Sequence, residues 1–577
     1  MMESEAFASS RLRGKTASLR FGIMCNGPVF QQWQANAILE LKKCGHQPAL
    51  LVIDGRVAPK PSLFSRLLKK NWGTVLFTSL ENRIFKPPAK NPVDLQAELQ
   101  ECETLVCHVQ QKGFSEYFQP AELEIIRARQ LDFILRFGFS IVRGEVLSAA
   151  RFGIWSFHHD DEMRYRGGPA GFWEIFNGDP VSGVIMQRLT DKLDGGILLK
   201  KGYLKTVMHS YRANVEQLLA VSSSWPARVA DELALNPDLH ITAQASKTDA
   251  PIFKVPGNLN MLKFILLLIR NRVRFYYRDL FAAEFWNIGV IEKPIHEVAL
   301  GGEKLRKEEI TWFPAAKQSR YLADPAGFME GGKLHILAED YSYARQKAGI
   351  SEFVMENAPV GVGEPASVIE TEHHVSYPYV IEHSGEVYCL PESCQSSGIA
   401  LYRREQGSAT FKKHRTLLDN VEAVDPTLLL YNGAWWLFFT GRKHSNTHLY
   451  LYYSPDLDGA FQPHRLNPVK TDVRSARPAG TPFVHEGFLY RPAQDCSVTY
   501  GGRVALNRVL VLNEDNFSEE TVRYVEPVRG SAYGKALHTL SGVGDYTLVD
   551  GKKYKFNRHF FWSQLRKKMN RKDPRNV

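Results

Sequence analysis

At 577 residues the chain is longer than one hydrophobic core can serve, so two to four domains are expected, and 44% hydrophobic with 11% aromatic residues is enough apolar material to build them. The formal charge of +10 is concentrated: residues 551–577 hold ten Lys/Arg against one acid, Asp573, which leaves the preceding residues at +1. A nucleic-acid-binding surface across the body is therefore not expected, nor is a zinc or disulfide framework, because the seven cysteines form no CxxC pair and suit reduced thiols in a cytoplasmic setting.

Residues 1–18 have no positive region followed by an apolar core, so they are expected to be a disordered leader rather than a signal peptide. LRFGIMC (19–25) is expected to be a buried strand. The following helix places Trp33, Ala37, Leu41 and Cys44 at helical spacing before a stop at Gly45, and PALLVID (48–54) is a second strand. Strand, helix, strand opens a doubly wound α/β domain, expected over 19–245. Within it DFILRFG (132–138), IWSFHH (154–159), VSGVIMQRL (181–189) and GGILLKKGYL (195–204) are expected as strands, 145–153 as a short helix and 210–235 as a helix.

Residues 246–312 are expected to form a helical linker, whose apolar face opposes Lys263, Arg270, Arg272, Arg274 and Arg278. Its longest apolar run, FILLLI (264–269), falls far short of the roughly 20 residues a spanning helix needs. From 313 onward helical patterns nearly vanish and one grammar recurs at 324–340, 376–393, 425–442, 476–495 and 537–553: a polar start, often with proline, an apolar strand, a glycine-bearing turn and an aromatic-rich strand. Five such units predict a five-bladed β-propeller over 313–555. The tail 556–577 mixes aromatic and basic residues, a composition suited to an anionic membrane surface.

The stretch WSFHHDDEMRYRGGPAGFWEIFNGD (155–179) begins on the expected strand end, where open α/β sheets place their sites. His158 and His159 point to opposite faces of a strand, so the string His158 to Glu162 is a poor chelate and no metal is expected. Downstream come Arg-Tyr-Arg-Gly-Gly-Pro, a helix ending in Asn-Gly-Asp, Gly-Val-Ile-Met and Leu-Asp-Gly-Gly. This order resembles the catalytic region of the formyltetrahydrofolate-dependent formyltransferases, which include methionyl-tRNA and sugar N-formyltransferases. The resemblance is strongest over 130–205 and extends back to residue 19.

It implies a Rossmann-like domain that takes 10-formyltetrahydrofolate as co-substrate, with His158 as the family histidine and Asp194 as the family aspartate. Phe137, Gly138, Asp191 and Gly195 match the positions that contact folate, and Arg166 and Gly167 match the turn that shapes the site. The chemistry suits these groups: an amine attacking a formyl carbon generates an oxyanion that needs a donor and an ammonium that must lose a proton. One position departs. Ser156 stands where the family has asparagine, so an oxyanion donor worth on the order of 10²- to 10³-fold in turnover is replaced by a shorter hydroxyl, and His159 or a backbone shift would have to compensate. The double histidine is also similar to formyltetrahydrofolate hydrolase, which is the alternative activity; a degenerate domain beside a carbohydrate-binding module is another.

With no basic body surface, a tRNA acceptor is disfavoured and an amino sugar on a nucleotide- or lipid-linked saccharide is expected. The repeat units resemble five-bladed glycosidases of the arabinanase and fructosidase groups, which implies that Asp324, Glu392 and Asp425 face a central cleft. Paired carboxylates there are what glycoside hydrolysis requires, but their order does not follow the glycosidase pattern, and carbohydrate binding is the expected role. A similar module stands beside plant glycosyltransferases that modify inositolphosphoceramide glycolipids, which implies a glycolipid acceptor. The protein is thus expected to be cytoplasmic, with the tail as a peripheral contact to membrane.

Overall fold

The computed structural model describes residues 17–56, 72–192, 195–236, 245, 247–302, 304–316, 319–355 and 365–570. The expected leader therefore lies almost wholly outside the described residues. The chain divides into two units, Arg13–Arg272 and Val273–Val577.

In the first unit β1 (Arg20–Cys25), α1 (Gln32–Lys43), β2 (Gln47–Asp54), β3 (Glu103–Cys107), α2 (Pro120–Ala128), β4 (Phe133–Arg136), β5 (Ile154–His158), α3 (Phe172–Asn177), β6 (Val181–Arg188), β7 (Ile197–Lys205), α4 (Tyr211–Ser222) and α5 (Trp225–Leu235) follow in order. The seven strands form one sheet in the order β3-β2-β1-β4-β5-β6-β7. The first five are parallel, while β6 runs against β5 and β7 against β6. Parallel strands covered on both faces must be apolar on both sides, and β1 is buried from Phe21 to Cys25. Phe133 binds the centre together, stacked on Phe21 at 5.4 Å and on Trp155 at 3.8 Å. The strand order reverses between β1 and β4, so the carboxyl ends of β1, β4 and β5 adjoin at the crevice where doubly wound sheets bind ligands.

Two expectations change here. The helix expected over 210–235 is α4 and α5, because Pro226 stands in the first turn of α5; proline has no N–H for an interior turn and marks a start. Residues 145–153 supply only a single 3-10 turn, Glu145–Ser148.

The helix α6 (Asn258–Phe281) includes the boundary at residue 272. In the second unit five antiparallel sheets follow one another. β10 (Arg320–Glu330), β11 (Lys333–Ser342), β12 (Lys347–Met355) and β13 (Ala366–Ile369) make one; β14 (Ser376–His383), β15 (Glu386–Glu392), β16 (Gly398–Arg404) and β17 (Phe411–Asp419) the next; β18 (Ala423–Tyr431), β19 (Ala434–Gly441), β20 (His448–Ser454) and β21 (Gln462–Pro463) a third; and β22 (Phe483–His485), β23 (Phe488–Asp495), β24 (Arg503–Leu512) and β25 (Phe517–Val525) a fourth. The fifth joins the two ends of the unit: β8 (Ala283–Ile291) and β9 (Thr311–Trp312) pair with β27 (Tyr546–Lys555) and β26 (Leu540–Val543) in the order β9-β8-β27-β26.

The expected linker 246–312 is thus only partly helical: β8 pairs along its whole length with β27, from Ala283 opposite Lys555 to Ile291 opposite Thr547. Its partner lies at the far end of the unit, which local periodicity cannot register. The expected tail 556–577 contains the helix α7 (Arg558–Asn570), and its last residues, 571–577, lie outside the described residues. Among the described residues no helix is long and apolar enough to cross a membrane.

Candidate functional site

The carboxyl ends of β4 and β5 bring together the residues of the first site. Alternation along β5 puts Ser156 and His158 on one face and Phe157 and His159 on the other. Arg136, the last residue of β4, shares the face of Ser156: its Nε and Nη2 donate to Ser156 Oγ at 3.2 and 2.8 Å. Its Nη1 donates to the carbonyls of Phe139 and Ser140 at 3.3 and 2.6 Å, which holds Phe139 at a φ of +62°, a conformation a bulky side chain adopts only when its surroundings fix it. Burial lowers the pKa of Arg136 and the charge of Glu116 opposes that, yet a guanidinium stays charged. Because the guanidinium can only donate, Ser156 Oγ accepts, and its own proton remains for another acceptor.

His158 Nε2 lies 3.0 Å from the carbonyl oxygen of Tyr165. A carbonyl can only accept, so this contact puts the proton on Nε2 and leaves Nδ1 as the lone-pair nitrogen. Phe137 and Gly138 follow β4 directly, both donating their backbone N–H to Met24 O at 2.8 Å. A Cβ on Gly138 would come within 2.8 Å of the Cys25 backbone, so only glycine lets the β4 loop close on the end of β1. Gly167 takes a φ of +91° and a Cβ there would meet Phe253 O at 2.2 Å, while Arg166 pairs through its backbone with Ile252. The Arg-Gly turn therefore ties down 250–253. Asp191 Oδ1 accepts from Gly144 N at 3.1 Å and Gly195 O accepts from Thr190 Oγ1 at 2.7 Å, so the loop bearing them is anchored. Asp194 lies outside the described residues.

His159 does not join Ser156 and His158. Its Nε2 is 3.1 Å from Ser222 Oγ, its ring meets the edge of Trp33 at 5.1 Å, and burial pushes its pKa down to about 3. It is a neutral core histidine on the wrong face. Asp160, Asp161 and Glu162, which follow the histidines, are buried. Lys201 Nζ binds Asp161 at 2.8 Å and Glu162 at 2.9 Å, and Asp160 Oδ1 accepts from Gly171 N at 2.7 Å. Burial, with the charge of Glu174, raises Asp160 well above the usual carboxylate range, and burial pushes Glu174 up to about 7. The string His159 to Glu162 is internal bracing.

The second unit has its own polar cluster, and the repeat register explains it. In three sheets the first strand bulges just before a proline, putting Asp324, Tyr377 and Asp425 at φ of +51°, +44° and +49°. Bulges re-aim side chains, and left-handed φ outside glycine costs on the order of 1–3 kcal/mol. Arg477, before Pro478, and His538, before β26, occupy the matching positions of the remaining two repeats. The five residues meet. Arg477 Nε and Nη2 donate to Asp425 at 2.5 and 3.2 Å, Tyr377 OH lies 2.9 Å from Thr427 Oγ1 beside Asp425, and His538 Nε2 is 3.2 Å from Asp324.

Second-strand acids complete the cluster. Glu392 accepts from Asp425 N at 3.1 Å and Asp550 lies 2.6 Å from His538 Nδ1. Burial is the main cause that pushes Asp324 up to about 6 and raises Glu339 and Glu392 well above the carboxylate range. Burial alone would lower His538, but Asp550 and Asp324 outweigh it and its pKa rises. Ligand atoms of Asp324, His538 and Asp550 lie within 4.8 Å of one another; an imidazolium between two carboxyl groups accounts for both contacts. Asp324, Glu392 and Asp425 are thus brought together. Arg477, His538, Asp550 and Glu339 were not expected, although the repeat alignment itself pointed to the first two.

A family model described as glucosamine inositolphosphorylceramide transferase 1, N-terminal, matches residues 311–541, a span containing all five residues that meet at the cluster. Glucosamine inositolphosphorylceramide transferase 1 of Arabidopsis thaliana is 30% identical over 238 residues, 39% of this chain and 30% of the plant protein. Methionyl-tRNA formyltransferase of Phenylobacterium zucineum (strain HLK1) is 34% identical over 107 residues, 18% of this chain and 34% of that protein. Among solved structures, the family 117 glycoside hydrolase Zg3597 of Zobellia galactanivorans is similar with a TM-score of 0.31 at 13% identity, covering 48% of this chain and 91% of its own. The chain spans about a third of the length of the curated relatives it matches.

Proposed function

We propose that the first unit transfers a formyl group from 10-formyltetrahydrofolate to the amine of a saccharide, and that the second unit, its five sheets arranged as propeller blades, holds the saccharide, carried on a nucleotide or a lipid. The observation that supports this most is the Arg136, Ser156 and His158 face at the crevice. Nδ1 of His158 is the acceptor for the proton the attacking amine must lose. The Ser156 hydroxyl, polarised by the Arg136 guanidinium, donates to the oxyanion in place of the family asparagine. When the tetrahedral intermediate collapses, the bond from the formyl carbon to the folate nitrogen breaks and that nitrogen takes up the proton.

The likeness of 311–541 to the N-terminal part of plant transferases whose name couples glucosamine to an inositolphosphorylceramide supports a glycolipid or amino-sugar acceptor. Hydrolysis in place of transfer is less favoured, since the second histidine that suggested it is neutral and turned into the core. Incubation with 10-formyltetrahydrofolate and a panel of amino sugars is expected to release tetrahydrofolate only when an acceptor is present. Release at the same rate without acceptor would replace transfer by hydrolysis, and a calorimetric titration showing no folate binding would remove the proposal.

A further inference from the structure

Within the second unit a cavity of about 350 Å³ opens between the end of the β10–β11 sheet and the helix α7. Tyr321 of β10 and Tyr341 of β11 stack with centroids 4.8 Å apart and planes 17° apart. Tyr343 stands edge-on to Tyr341 at 5.2 Å, and Phe560 of α7 meets Tyr343 edge-on at 6.2 Å. Gln346, Ser563, Gln564 and Lys567 line the same space, and Ser563 Oγ donates to Gln346 Oε1 at 2.9 Å, which latches the helix to the sheet. At the inner end Tyr321 OH is 3.5 Å and His374 Nε2 3.8 Å from Glu339, a member of the central acid cluster.

The geometry points to a binding site for a single pyranose ring, walled on one side by the tyrosine ladder and on the other by α7. This rests on the saccharide reading of the second unit and names its place. Aromatic faces with a rim of amides, a hydroxyl and an ammonium match a ring that is apolar on its C–H face and hydroxylated at its edge. Charge here is largely spent internally: Glu284, also in the lining, is held by Lys552 Nζ at 2.9 Å. A phosphate-rich ligand would ask for several unspent cations. The volume is at the small end of ligand pockets, roughly 300–1,000 Å³, which suits one ring. The outward side of α7 exposes Trp562 and Met569, each 57%, beside Arg558 and Arg566, so the ring could come from a free saccharide or from a lipid headgroup.

The test is saturation-transfer NMR on the full chain with methyl glycosides of glucose, glucosamine and mannose, alongside flotation with phosphatidylcholine vesicles with or without glucosylceramide. The wild type is expected to bind at least one probe. Tyr341→Ala, which removes the stacking face, and Ser563→Trp, which fills the cavity from the helix side, should each weaken it about tenfold or more. Flotation only with glucosylceramide assigns the headgroup as source; free-glycoside binding without flotation assigns the soluble sugar. Binding that survives both variants and disappears in Asp425→Asn overturns the pocket and keeps the saccharide reading. No binding of any probe to the wild type overturns both.

Discussion

The two units build a polar site by opposite routes. In Arg13–Arg272 the site hangs on the ends of two neighbouring parallel strands, and most of its groups lie in one contiguous stretch, with a single arginine reaching in from the strand before. In Val273–Val577 five residues separated by whole sheets occupy one repeat position and meet as Asp324, Tyr377, Asp425, Arg477 and His538. The first arrangement leaves a hydroxyl proton and an imidazole nitrogen for a reactant. The second satisfies its charges internally, guanidinium to carboxylate and imidazole between carboxyl groups. A site that keeps unspent donors is suited to chemistry, whereas one that spends them on itself organises a fold and a binding surface.

That contrast breaks first at His158. If Nδ1 accepts the amine proton, His158→Asn should lower formyl transfer by about 10²- to 10⁴-fold with little loss of stability, read as tetrahydrofolate release beside a thermal melt; a variant retaining most of its rate would strip the first unit of its base. The converse is expected at Arg477. Arg477→Ala leaves Asp425 buried beside Glu392 without its cation, and breaking a buried pair costs about 3–5 kcal/mol, read as a fall in the unfolding midpoint. Adding Asp425→Asn should recover part of that loss, and additivity of the two changes would argue against the pairing.

Arg136 sharpens the first unit. Arg136→Met removes the donor behind Ser156 and should cost about 10²- to 10³-fold in kcat. Ser156→Asn in that background places an amide donor at the same point and should recover turnover. A loss in KM alone, or no recovery, would make Arg136 a brace for the Phe139 loop and nothing more.

The sequence announced these sites unevenly, for physical reasons. His158 was legible because strand end, turn and downstream loop follow one another along the chain. Arg136 was not, because its partner Ser156 comes 20 residues later and the pairing exists only once β4 and β5 align. The burial of Asp161 and Glu162 was not legible, because Lys201, which makes it tolerable, comes some 40 residues later. In the second unit a pattern of paired carboxylates marks Asp324, Glu392 and Asp425 but not Arg477 and His538, which hold the same repeat position as Asp324 and Asp425 with different chemistry. The strand β8 hid inside an expected linker since its partner β27 is more than 250 residues away.

The smallest expected effect concerns the bracing under the first site, and its sign is fixed by burial. Glu174 has a pKa pushed up to about 7, so between its unfolded value near 4.5 and that value the folded protein binds a proton the unfolded chain has released. Its contribution to stability therefore falls as pH rises through this window, the reverse of the usual salt-bridged carboxylate. Glu174→Gln replaces the buried carboxyl by a neutral group of the same size. It should flatten the slope between pH 4.5 and 7 and leave the variant more stable than the wild type at pH 8, by on the order of 1–3 kcal/mol. Scanning calorimetry of both proteins across that range reads the difference. A slope unchanged by the substitution would mean that Glu174 is held ionised in the fold.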